Sequence, residues 1–280
     1  YIWSYSSYSV LASLVRYTAQ SIPELLTGKM LGMASVGILS KGRSTANMVS
    51  QVFIHGMKAV TFPMFTAIRE DKKHSREQYL KLVDITLGLV WPVLLFIGIN
   101  AEYIITVLFG KNWLEATPIL QVALLGLSIW TCITYADDLL KSNGRIALLS
   151  KLEIIFLPLY AVFVYFSIQF GLIAMMFSLV SLTAIRFLIY LFLLSNTIGI
   201  PKKAYLYILL KNLLLSAPIA LFLLVLFSYL SSHNITNFFN LVISSIAFAV
   251  VWLLSIFLFK HAIFMTVIQP IIGKFIRGKT

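Results

Sequence analysis

The sequence predicts an all-α protein that crosses a membrane about eight times. Three observations carry that prediction: composition, the length of the apolar runs, and the alternation of charge between them. Of the 280 residues, 60% are hydrophobic and only 11% charged, with a mean hydropathy of +0.92. Soluble domains are roughly half apolar and about a quarter charged, so the chain lies outside that class. Ala116–Ala136 runs 21 residues without a charge, Ile154–Ile185 runs 32, and Asn212–Phe259 runs 48 with His233 as its one titratable group. About 20 apolar residues cross the hydrocarbon layer. The two longer runs are therefore each two crossings, joined at Gln169–Gly171 and at Ser231–Asn234.

In chain order the expected spans are Ile2–Ile22, Ala34–Thr66, Leu80–Asn100, Ala116–Leu139, Ala147–Ile168, Leu172–Ser195, Leu209–Leu230 and Phe238–Phe259. The second is longer than a bilayer needs, so one end is expected to project into water. Glu102–Leu108 and the tail after Lys260 read as short amphipathic pieces at interfaces. Tyr1 follows no basic-then-apolar leader, so the sequence reads as the continuation of a longer chain.

The connections alternate in charge. One side carries Arg69, Lys72, Lys73, Arg76 and Lys81, then Lys141, Arg145 and Lys151, then Lys202, Lys203 and Lys211, and finally Lys260, Lys274, Arg277 and Lys279. The opposite side carries Lys29 and Lys111. The positive-inside rule then puts both ends of this chain in the cytoplasm, as an even number of spans requires. The net charge of +12 is spread among these connections rather than gathered in one solvated patch, so no nucleic-acid partner is expected. A single cysteine, Cys132, allows no internal disulfide.

Five cations fall inside spans: Arg16, Lys41, Arg43, Lys58 and Arg186. A cation in hydrocarbon costs several kcal/mol, so such residues face a wet cavity, a partner or an interface. On the second span Lys41, Ser44, Asn47, Gln51, His55 and Lys58 recur at spacings of three and four, which is one face of an α-helix. Ser6, Ser9, Ser13, Arg16, Gln20 and Glu24 do the same on the first. Serine, asparagine and glutamine also bridge packed transmembrane helices. The cations and His55 favour a hydrated cavity instead, although Lys41 and Arg43 lie near a helix end where they can snorkel. The cavity candidates are Arg16, Lys58, Gln51, Asn47, Gln20, Ser13, Lys41 and Arg186, with His55 and Glu24 as candidates for ion coupling. A carboxylate partner within the bundle is the competing reading of Arg186.

The sequence contains no phosphate-binding glycine loop, no Cys/His metal cluster and no Ser-His-Asp set, so no cofactor, metal or catalytic residue is expected. Asp137-Asp138 reads as a helix-end pair. The longest outward connection, about Asn100–Glu115, is too short for a catalytic domain.

Gly28-Lys29-Met30-Leu31-Gly32, Phe62-Pro63, Trp91-Pro92, Phe109-Gly110-Lys111-Asn112-Trp113 and then Ala116, Pro118, Ile119, Leu120 and Gln121 follow one another in an order and spacing that resemble the polysaccharide-transporter family. That family holds the Wzx-like flippases for lipid-linked O-antigen and exopolysaccharide repeat units, within the multidrug/oligosaccharidyl-lipid/polysaccharide exporter superfamily. The resemblance implies a parent of about fourteen spans in two bundles around a central cavity, worked by alternating access. This chain would be its second half: a six-helix bundle over 1–200, two peripheral helices over 201–260 and an amphipathic cytoplasmic tail over 261–280. The implied setting is the bacterial inner membrane. The implied substrate is an undecaprenyl-pyrophosphate-linked oligosaccharide, and the polysaccharide polymerase and chain-length machinery are implied partners. Arg16 and Lys58, then Arg186, would contact the pyrophosphate, while Ser, Asn and Gln would bind sugar hydroxyls. Where family members place an acid after Asn near the end of the first span, this chain has Ile22-Pro23-Glu24. Two other functions fit the helices: an exporter of cationic drugs from the same superfamily, which would favour acidic and aromatic cavity walls, and a structural membrane subunit, which would leave the polar stripes unexplained.

Overall fold

The computed structural model describes residues 2–232 and 236–258, and within them every side chain except those of 2–9, 11–13, 16, 55, 58 and 59. His233 and the tail 261–280 lie outside the described residues. Among the described residues the regular structure is helical throughout. Helix α1 is Ile2–Met30 and α2 is Met33–Ser50; a π-helical turn at Gln51–His55 leads without a break into α3, Gly56–Ala67. These are the two polar spans of the sequence. Then come α4 (Lys72–Ile99), the short α5 (Ala101–Phe109), α6 (Ala116–Cys132), α7 (Ala136–Ser142), α8 (Ile146–Ile168) and α9 (Leu172–Leu193). A second π-helical turn, Leu194–Ile198, closes α9, and α10 (Lys202–Ser231) and α11 (Asn237–Leu258) complete the described chain.

Among the described residues six segments are both long and apolar enough to cross a membrane: Lys72–Ile99, Ala116–Ser142, Ile146–Ile168, Leu172–Ile198, Lys202–Ser231 and Asn237–Leu258. They match six of the eight expected spans. The other two expected spans are helices of crossing length whose serines, amides and cations make them less apolar. The chain is a multi-pass α-helical membrane protein. Proline sits inside α1, α3, α4, α8 and α10, which membrane helices tolerate because neighbours re-satisfy the freed backbone groups.

Two compact units are formed, one from Tyr1–Arg76 with Glu115–Ile200, the other from Glu77–Leu114 with the chain from Pro201 on. In the first, Leu39 of α2, Ile119 and Val122 of α6, Val164 and Ile168 of α8 and Met175 and Met176 of α9 form a buried core. Ile22 and Leu26 of α1 pack against it. Association of helices in lipid rests on close packing rather than on escape from water. Gly42 supplies such an approach: a Cβ there would stand 2.7 Å from Ile119 Cγ2 and 3.0 Å from the Leu120 nitrogen. At one end of this unit the Arg76 Nε donates to the Ile198 carbonyl at 2.6 Å. Its guanidinium lies over Gly199, whose φ of +75° suits a residue without a side chain.

In the second unit α4, α5, α10 and α11 are joined by aromatic pairs, with Phe96 4.9 Å from Phe248 and Tyr103 5.0 Å from Phe227 between ring centroids. Trp252 Nε1 donates to the Gly88 carbonyl at 3.3 Å. Asn212, Ser216, Asn240, Ser244 and Ser255 point inward, while Leu213, Leu214, Leu221, Phe238, Leu253 and Phe257 are exposed. Polar-in, apolar-out is the pattern of helices bathed in lipid. Lys211, counted above with a basic connection, is instead drawn into α10's inner side: its Nζ and the Asn212 Nδ2 both donate to Asp84 at 2.8 Å.

Candidate functional site: a polar cavity in the first unit

Within the first unit six helices, α1, α2 and α6 to α9, leave a cavity of about 740 Å³. Tyr17 and Gln20 of α1 form one side, and Arg43, Asn47, Ser50 and Gln51 form the next. Trp130 of α6, Asp137 and Lys141 of α7, Glu153, Phe156 and Tyr160 of α8, and Arg186 of α9 complete the polar and aromatic wall. A smaller cavity of about 230 Å³ shares Tyr17, Gln20, Arg43 and Asn47 with it and adds Ser21, Glu24, Ser40 and Ser44.

The helical geometry of α2 decides which stripe residues reach this space. At about 100° per residue, Arg43 and Gln51 each stand about 40° from Asn47, whereas Lys41 is turned about 120° away. Asn47 and Gln51 therefore face the cavity with Arg43, and half-buried Lys41 lines neither cavity. Gln51 opens the π-helical turn, a local irregularity that membrane and soluble helices alike place at functional sites. On α1, Gln20 faces both cavities and Glu24 the smaller one. The side chains of Ser13, Arg16, His55 and Lys58 lie outside the described residues, so the structure brings together Gln20, Asn47, Gln51 and Arg186 from the expected set.

Arg186 reaches the wall already engaged. It forms an ion pair with Glu153, and both side chains are largely buried, at 15% and 6% exposure. Its guanidinium also lies 5.2 Å from the Phe156 ring centroid, 5.4 Å from Trp130 and 5.9 Å from Tyr190. Such a cage stabilises a cation by the negative faces of the rings. The Tyr190 hydroxyl donates to Asp137, and its chain neighbour Asp138 accepts from Thr61 of α3. The adjacent carboxylates of α7 thus tie different helices, a role beyond the helix-end pair expected from sequence.

Arg43 stands differently. Its Nη1 is buried without a hydrogen-bond partner among the described residues, and the nearest carboxylate oxygen, Glu24 Oε1, is 3.6 Å away. By its place near a helix end Arg43 is a cation able to snorkel. The helical angle from Asn47 was the signal that could have placed it on the cavity. Glu153 was readable too, since it and Arg186 lie about equally far in sequence, roughly 16 residues, from the turn at Gln169–Gly171. Two antiparallel helices around one turn bring such positions level.

Residues 1–118 match a family described as "Polysaccharide biosynthesis protein". Similar proteins include the teichuronic acid biosynthesis protein TuaB of Bacillus subtilis, 24% identical over 78% of this chain and 46% of TuaB. An uncharacterized membrane protein in the cps region of Klebsiella pneumoniae is 25% identical over 84% of this chain and 49% of its own length. The succinoglycan biosynthesis transport protein ExoT of Rhizobium meliloti is 27% identical over 45% of this chain and 26% of ExoT. The resemblance to the polysaccharide-transporter family is borne out. The chain spans about half the length of the first two relatives. No solved structure matches it. The family match covers α1 to α5, so it includes the Tyr17, Gln20, Arg43, Asn47 and Gln51 side of the cavity and leaves the Trp130 to Arg186 side beyond it.

Proposed function

We propose that this chain serves in a flippase that carries an undecaprenyl-pyrophosphate-linked oligosaccharide across the bacterial inner membrane for surface polysaccharide synthesis, without catalysing a reaction. Residues 1–200 would supply the transport bundle, 201–260 two peripheral helices and 261–280 a tail, with both ends cytoplasmic. The observation that carries the reading is the 740 Å³ cavity walled by amides, aromatics and cations inside a helical unit of a multi-pass membrane protein. A glycan needs hydrogen-bond donors and acceptors along its length, and rings against which pyranose faces can lie; Gln20, Asn47 and Gln51 offer the first, Trp130 and Tyr160 the second. The names of TuaB and ExoT, which speak of teichuronic acid biosynthesis and succinoglycan transport, support the same substrate class. The polysaccharide polymerase and chain-length machinery are the expected partners.

The test is deletion of the gene and complementation with the wild type or with an Asn47→Leu, Gln51→Leu double variant. Deletion should remove surface polysaccharide and leave lipid-linked repeat units accumulating inside. The double variant should reach the membrane in normal amount and fail to restore the polysaccharide. Normal surface polysaccharide from the deleted strain would overturn the reading.

A further inference from the structure

Among the described residues three cations line the cavity, Arg43, Lys141 and Arg186, and they are held differently. Arg186 is held by Glu153 and by three aromatic rings, although its Nε is also buried without a hydrogen bond among the described residues. Lys141 sits in the last turn of α7, where the helix's carbonyl end favours a cation. Arg43 is in neither position. It lies where the two cavities meet, and both walls include it along with Tyr17, Gln20 and Asn47. Its side chain is 20% exposed, and its Nη1 is buried with no hydrogen-bond partner among the described residues. Buried polar groups are nearly always hydrogen-bonded, so an unsatisfied guanidinium nitrogen at a cavity wall asks for an acceptor. Its ion-pair partner, Glu24 Oε1, stands at 3.6 Å, beyond hydrogen-bonding distance, on a side chain that is 49% exposed.

We infer that Arg43 is the anchor for a phosphate oxyanion in this cavity, and that Glu24 stands near it as an internal competitor which the incoming anion displaces. This rests on the flippase reading and assigns the residue that would hold the charged part of its substrate. The guanidinium offers a planar fork that matches two phosphate oxygens at once. Gln20 and Asn47, which line both cavities with it, carry amide donors for the remaining oxygens. Glu24 is a monoanion at a poor distance, whereas a diphosphate brings more charge and more acceptors. Exchange of one for the other satisfies Nη1 and releases a carboxylate to solvent. The shared chemistry is the oxyanion; its source is either a lipid-linked diphosphate or free pyrophosphate.

The experiment uses the full-length protein in phosphatidylcholine nanodiscs and equilibrium dialysis against three probes: farnesyl diphosphate, inorganic pyrophosphate and farnesol. Arg43→Gln should weaken diphosphate binding by at least about tenfold, the scale of one lost charge contact. Glu24→Gln should tighten it several-fold, because it removes the competitor. Arg43→Lys should fall between wild type and Arg43→Gln, since it keeps the charge and loses the fork. Farnesyl diphosphate binding far better than pyrophosphate identifies the lipid-linked source, and equal binding identifies the free anion. If the Arg43–Glu24 pair served structure alone, both neutral variants would lose the same contact and shift binding in the same direction. That outcome, no change in either, or a wild type that binds neither diphosphate overturns the inference. Should Arg43→Gln fail to fold, Glu24→Gln decides by itself: tighter binding supports the anchor, and unchanged or weaker binding overturns it. Binding indifferent to both substitutions leaves the flippase reading standing, because that reading is tested separately by the polysaccharide of the deletion strain.

Discussion

Arg186 and Glu153 show what a buried charge in a membrane bundle demands. Each would be costly alone, and the antiparallel hairpin of α8 and α9 brings them together at the cavity wall. Removing one partner should hurt more than removing both. Glu153→Leu alone leaves the guanidinium uncompensated and should cost about 3–5 kcal/mol, seen as a large drop in thermal stability of the detergent-purified protein. Glu153→Leu with Arg186→Met should recover most of that loss, since apolar side chains of similar volume replace a desolvated pair. A double variant no more stable than the single one would show that the pair is not what holds these residues there. Arg16 and Lys58 carry a different expectation, drawn from the spacing of the stripes alone. Arg16→Ala and Lys58→Ala should each reduce surface polysaccharide with protein level unchanged, and Lys58→Arg should be better tolerated because it keeps the charge. Normal polysaccharide from the double alanine variant would remove both from the substrate path.

At the scale of the helix, much was legible from period and run length. Apolar runs of crossing length gave α4, α6 with α7, and α8 to α11, because a bilayer sets a minimum length that composition alone can meet. The polar stripe on α2 was legible as a face, and its members Asn47 and Gln51 do line the cavity. Its edge was not. Spacings of three and four admit drift around the helix, so Lys41 and Arg43 competed for the same face until the neighbouring helices chose Arg43. The π-helical turn at Gln51–His55 left no signal in a pattern of threes and fours. Nor did the close approach of α2 to α6, since Gly42 alone gives no hint of what it meets. That contact is open to test. Gly42→Leu should force α2 away from Ile119 and cost about 1–3 kcal/mol or more through overpacking. Gly42→Ala paired with Ile119→Ala should be far milder, because the truncated neighbour makes room. Thermal unfolding of the purified proteins measures both, and a fully stable Gly42→Leu would mean that the helices do not pack here.

For the molecule as a whole, the prediction that reaches furthest is its orientation. The basic residues divide unequally between alternate connections, and that inequality is what fixes insertion. Geometry within the first unit supports the grouping, because Arg76 at the start of α4 donates to the Ile198 carbonyl at the end of α9. Thr61 of α3 likewise meets Asp138 of α7. The connections after α3, α7 and α9 therefore share one end of that unit, as alternation requires. Cys132 is the chain's one cysteine and is buried, so Cys132→Ala gives a background free of reactive thiols at small structural cost. His74 is exposed beside Lys72 and Lys73, and Thr236 precedes α11 in the connection from α10. On the Cys132→Ala background, His74→Cys should resist an impermeant maleimide in intact cells and react once the cells are lysed. Thr236→Cys should react in intact cells. Shifting the balance of charge should move the result: neutralising Arg69, Lys72, Lys73 and Arg76 together should give a mixed population in which His74→Cys becomes partly reactive from outside. Labelling of position 74 in intact cells on the unmodified charge background would invert the topology, and with it the side from which the cavity meets its substrate.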